Sequence, residues 1–144
     1  MRMSVVLAPL IVLAISAQAQ GVPQSIVLKG LDQLAAGHCR AAIEGWTTNW
    51  TSGADAMRRS QLVNGCDILD QLGTVAGYDL LRVVNVTPHL QRVYLVLRCQ
   101  TQPVYFMVVA YAPDADWKIN TVNWNTDPDK VLPADIAPRQ HPEP

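Results

Sequence analysis

The chain has one Phe, three Cys and three His in 144 residues, and only 16% of it is charged. Each shortage closes a class of function. Histidines at 38, 89 and 141 and cysteines at 39, 66 and 99 give no Cys-x-x-Cys spacing. His38 and Cys39 are neighbours, so on a helix they point about 100° apart and cannot chelate one ion. A metal site needs three or four converging ligands, and none is implied. Gly-x-Ser-x-Gly is absent, as is a glycine loop that would cradle phosphate. Neither a catalytic residue nor a cofactor is therefore read from motif. The net charge is −1, with Lys and Arg scattered. That leaves no electrostatic footprint for nucleic acid or for an anionic membrane surface. After residue 15 no long apolar run occurs, so no membrane span is expected.

What is present begins at the N-terminus. Arg2 supplies a positive start, Val5 to Ile15 is an uncharged apolar run, and Ser16-Ala17-Gln18-Ala19 ends in a small-x-small pattern. Residues 1–19 read as an export signal cleaved after Ala19. The mature chain is then expected in the periplasm or secreted, away from most nucleotide-dependent chemistry. About 125 residues remain, enough for one domain with its own core. That domain is expected over 20–132, followed by a Pro-rich disordered tail over 133–144.

Along the domain the hydrophobic period changes once. From Ser25 to Trp50, Leu28, Leu31, Ala35, Cys39, Ala42 and Trp46 recur at helical spacing, broadened by Leu34 and Ile43. Gly30, Gly37 and Gly45 fall roughly on one face, where another element is expected to pack closely. Ser52-Gly53-Ala54-Asp55 has the form of a capping box. It predicts a second helix over 54–71 that buries Met57, Leu62, Cys66 and Leu69, with Asn64-Gly65 a place where it splits. Arg58 and Arg59 are expected in solvent. After Gly73 and Gly77 the period becomes two. Tyr78–Thr87, Leu90–Gln100, Val104–Tyr111 and Trp117–Asn125 are strand candidates rich in Val, Tyr, Trp and Thr. Pro88-His89, Thr101-Gln102-Pro103 and Pro113-Asp114-Ala115-Asp116 separate them. Breaks this short join only antiparallel neighbours. The expected fold is α+β, with N-terminal helices packed on a four-stranded antiparallel meander.

Three cysteines allow at most one internal disulfide. Export makes oxidation reasonable. A helical hairpin turning near residue 51 sets Cys39 opposite residues 62–64, about one turn from Cys66. The expected bridge is Cys39–Cys66, with a bridge to Cys99 or no bridge as the alternatives, and Cys99 is expected unpaired and buried on the core face of its strand.

Helices followed by such a meander resemble the cystatin-like, nuclear transport factor two-like superfamily. Gly77-Tyr78-Asp79-Leu80-Leu81-Arg82 opening the sheet carries the resemblance. So does the stretch from Trp117-Lys118-Ile119-Asn120 to Asn125-Thr126-Asp127-Pro128 that closes it. Small exported bacterial proteins of that superfamily with no assigned activity look most similar, over about residues 31–132. The resemblance implies a curved sheet wrapped into a cone around a long N-terminal helix. Members include isomerases, dehydratases and plain binding or scaffold domains, so fold alone does not select among them.

Two functional classes follow. In the first, the protein is a non-catalytic binding or scaffold domain of the cell envelope. Tyr105, Met107 and Tyr111, continued by Tyr94 on the next strand, then form a sheet face open to a protein partner or to a homodimer. The bland alternative is that the tail or the second helix covers that face. In the second class, a small isomerase- or hydrolase-like enzyme places an inward acid or base in an apolar cone. Tyr78, Asp79, Asn123 and Asn125 are its cavity candidates. Asp79 reads equally as a solvated strand residue, and the two Asn as groups that satisfy a sheet edge.

Overall fold

Ser25–Ala35 (α1) turns Val27, Gly30, Leu31 and Leu34 to one buried side, and Cys39–Trp46 (α2) does the same with Cys39, Ala42, Ile43 and Trp46. The structure, a computed structural model, describes residues 21–137. The expected export signal lies outside the described residues. The single helix expected over 25–50 is thus two. Gly37 breaks it, with φ 81°, a left-handed conformation that a glycine adopts without steric cost. His38 N–H donates to Gln33 O (2.8 Å) and Gly37 N–H to Leu34 O (3.0 Å), which closes the end of α1. Ala35 and Cys39 continue the helical spacing across this turn, so hydrophobic period alone does not reveal it.

Ser52 and Asp55 form the expected capping box at the start of Gly53–Gln71 (α3), each side chain bonding the other's backbone N–H at 3.1 Å. The helix does not split at Asn64-Gly65. A Cβ at Gly65 would fall within 2.5 Å of Trp124 Cζ2, so the glycine there lets helix and sheet approach. Met57, expected inside, is 67% exposed; Gly65, Cys66 and Leu69 form the buried side. Arg59 is not in open solvent either. Its guanidinium donates to Thr47 O, Thr47 Oγ1 and Trp50 O and pins the loop between α2 and α3. Cys39 and Cys66 are joined by a disulfide, Cα atoms 5.6 Å apart, which staples α2 to α3.

Val75–Thr87 (β1), Leu90–Cys99 (β2), Pro103–Tyr111 (β3) and Lys118–Asn125 (β4) form one antiparallel sheet in the order β1-β2-β3-β4. The sheet is open, with β1 and β4 as its edges. This is the expected α+β layout. Alternate residues Val93, Leu95 and Leu97 of β2 and Val104, Phe106, Val108 and Ala110 of β3 face the helices. They are buried with Val27, Leu31, Leu34, Ile43 and Trp46.

The opposite sheet face is covered as well. After β4 the chain makes a single 3₁₀ turn at Pro128–Lys130 and crosses the sheet. Val131 and Leu132 are buried against Tyr94, with Leu81, Val84, Tyr105, Met107, Ile136 and Ala137 packed around them. Asp135 pairs with Arg82 of β1 at 2.7 Å. Residues 133–137, expected to belong to the tail, are part of this strap; the rest of the expected tail, 138–144, lies outside the described residues.

Candidate functional site

The strap settles the position of the first candidate surface. Tyr94 is only 6% exposed, and Tyr105 and Met107 are half-buried beneath the strap. The stripe is a second small core rather than an open face. Tyr111, at the end of β3 beyond the strap, keeps 44% of its surface exposed. Arg92 reaches the Tyr94 hydroxyl at 3.4 Å.

The four cavity candidates do not meet. Tyr78 and Asp79 are successive strand residues and so point to opposite faces. Tyr78 packs at the margin of the helix-side core. Burial raises its hydroxyl pKa, and the nearby Asp32 charge adds to that. Asp79 is exposed on the other face, 3.2 Å from Arg98. Asn125 Oδ1 accepts from Asp127 N–H (2.9 Å) and shapes the turn that leaves β4. Asn123 is exposed and lines a cleft of about 280 Å³ between β4 and α3, with Trp50, Arg58, Gln61, Leu62 and Trp124 among the other lining residues. Trp50 Nε1 donates to Ile119 O at 2.7 Å, and the Arg58 guanidinium lies 4.4 Å above the indole.

Among the described residues no group of three or more His, Cys, Asp or Glu is placed to hold a metal ion. His38 is engaged with the Gln33 side chain at 3.2 Å. Cys99 is free and half-buried rather than fully buried, and its burial raises the thiol pKa. A raised pKa makes a thiol less reactive, not more.

A larger recess than that cleft lies elsewhere, on the outer side of the helical layer. A groove of about 540 Å³ runs between α1 and α2. Ile26, Gly30, Ala42 and Trp46 give it an apolar floor, and Lys29, Gln33, Thr48 and Asn49 stand at its rim. Two glycines make it possible in different ways. A Cβ at Gly30 would collide with the indole of Trp46, whose Nε1 donates to Ile26 O at 3.0 Å. A Cβ at Gly45 would meet nothing within 4 Å, because Gly45 opens onto the groove.

The chain matches no protein-family model, no curated protein and no solved structure. Lys29, Gln33 and Thr48 belong to no sequence motif. The available signal was the glycine spacing on the first helical stretch, which pointed to close packing. That is right at Gly30. Gly37 instead makes the turn, and Gly45 borders empty space.

Proposed function

We propose that the protein is an exported, non-catalytic binding domain of the cell envelope, and that the groove between α1 and α2 is its ligand site. One observation carries this reading. The groove combines a volume in the range of small-molecule sites with an apolar floor and a single cation at the rim, Lys29, which has no carboxylate partner among the described residues. That chemistry suits a ligand with an apolar body and one anionic group. The Cys39–Cys66 disulfide fits an oxidising compartment. Among the described residues no helix is long and apolar enough to cross a membrane. The order of helices and meander keeps the cystatin-like, nuclear transport factor two-like resemblance as part of this proposal. The rival enzymatic reading needs Tyr78, Asp79 or another ionisable group pointing into a cavity; Asp79 exposed beside Arg98 and Tyr78 packed against the core do not favour it.

Octanoate and octanol serve as probes. Amide and indole shifts of Gly45, Trp46 and Gln33 are followed by heteronuclear NMR during titration. Octanoate should move these signals at lower concentration than octanol does, and Gly45→Leu, which fills the groove, should abolish the effect without unfolding the chain. No shift with either probe, or shifts unaffected by Gly45→Leu, would remove the groove as the site.

A further inference from the structure

The two edges of the sheet are treated very differently by the sequence. An edge strand exposes unpaired N–H and C=O groups, and proteins guard against unwanted pairing with charges, bulges and covering segments. β1 is guarded. It carries Asp79 and Arg82, its pairing with β2 shifts register at three places, and Arg82 is tied to the strap. β4 is not. From Ile119 to Asn125 it holds no charge and no proline, and its one irregularity lies at the start, beside Ala110. Trp50 occupies the carbonyl of Ile119. Thr121 to Asn125 remain as edge, with the cleft to α3 alongside.

We propose that this edge pairs with the same edge of a second copy, antiparallel and two-fold symmetric about Asn123. An isologous pairing uses one surface twice and closes as a dimer. Centred on Asn123, it places Thr121 opposite Asn125 and Val122 opposite Trp124 of the other copy, and the two Asn123 side chains face each other across the axis. These side-chain amides both donate and accept, so they satisfy one another. Charge selects the direction and the occupant. Lys118 stands at the start of β4 and Asp127 and Asp129 just past its end, and none of the three has an ion-pair partner among the described residues. Antiparallel self-pairing brings each Lys118 to the end that carries the other copy's Asp127 and Asp129. A parallel arrangement would instead set Lys118 beside Lys118. The pairing does not involve the groove between α1 and α2, so it stands apart from the ligand proposal.

Sedimentation equilibrium of the mature, disulfide-intact chain from the micromolar to the millimolar range tests this. A monomer–dimer equilibrium is expected. Asn123→Asp puts two carboxylates directly opposite at the axis and should weaken association about fivefold or more, since opposed like charges destabilise strand pairs. Asn123 is exposed, so far-UV circular dichroism and the urea midpoint should not change. In a Cys99→Ser background, Asn123→Cys should oxidise to a covalent dimer, and Cys99→Ser alone should not. A monomer throughout the range, or a dimer indifferent to Asn123→Asp and not cross-linked through position 123, overturns the proposal.

Discussion

Replacing Gly30 by Ala should destabilise the protein, against the usual sign for a glycine inside a helix. Intrinsic propensity favours Ala by about 1 kcal/mol. Here the added methyl would lie within 2.5 Å of Trp46 Cζ2, and closer still to Cε2 and Nε1. Trp46 is 1% exposed and rigid, so it must move as a unit. Overpacking of this kind costs about 1–3 kcal/mol. Moving the ring also breaks the bond from Trp46 Nε1 to Ile26 O, worth about 1 kcal/mol. The lost hydrogen bond offsets the propensity gain, and the terms together favour the parent by about 1–3 kcal/mol. Gly45→Ala, in the neighbouring helix with nothing within 4 Å, is the internal control and should stabilise by about 1 kcal/mol. Urea unfolding followed by far-UV circular dichroism reads both variants against the parent. If Gly30→Ala is as stable as the parent or more so, the contact between Gly30 and Trp46 does not hold α1 and α2 together, and the account of the groove floor fails.

Reduction of the Cys39–Cys66 disulfide, whose cysteines lie 27 residues apart, should lower stability by about 3.5 kcal/mol on a loop-entropy basis, read as the shift in urea midpoint with and without reductant. The Asp55 carboxyl is held near pKa 2, below its ordinary 3.8, chiefly by the hydrogen bond from Arg58 and then by those from Ser52. Its folded pKa is depressed, so its contribution is complete above about pH 4 and lost as the pH falls toward 2; Asp55→Asn should flatten that part of the stability–pH curve. Leu132→Ala should cost about 2 kcal/mol and speed proteolysis of the strap. Arg82→Ala should cost less than about 1 kcal/mol, because its ion pair with Asp135 is exposed to solvent and the strap is held mainly by packing.

Several of these features are legible one residue at a time. The capping box needs only Ser52 and Asp55 and a helix to follow, since both bonds close within one turn. The four strands are marked by alternation, and their antiparallel order follows from breaks too short for a crossover. The Cys39–Cys66 pairing is the expected one and is found, because hairpin geometry brings the two within a turn, although that geometry does not by itself exclude Cys99. The strap was not legible. Val131, Leu132 and Ile136 follow no period, and their burial depends on a sheet face that exists only once four strands have paired. That is why Tyr94, Tyr105 and Met107 read equally well as an open surface. The candidate site was hidden for the same reason.

By itself the sequence determined what depends on neighbours in the chain: the change of period near Gly73, the helix cap at Ser52, the strand order, and a charge pattern without a nucleic-acid footprint. Tertiary structure alone decided what depends on distant residues meeting. It separated three glycines of one helical stretch into a contact with Trp46, a turn at Gly37 and an opening at Gly45. It laid the C-terminal strap over one sheet face and left the Thr121 to Asn125 part of β4 as an uncharged sheet edge. Burial is a property of both surfaces that meet, and only one of them is written in any local stretch of sequence.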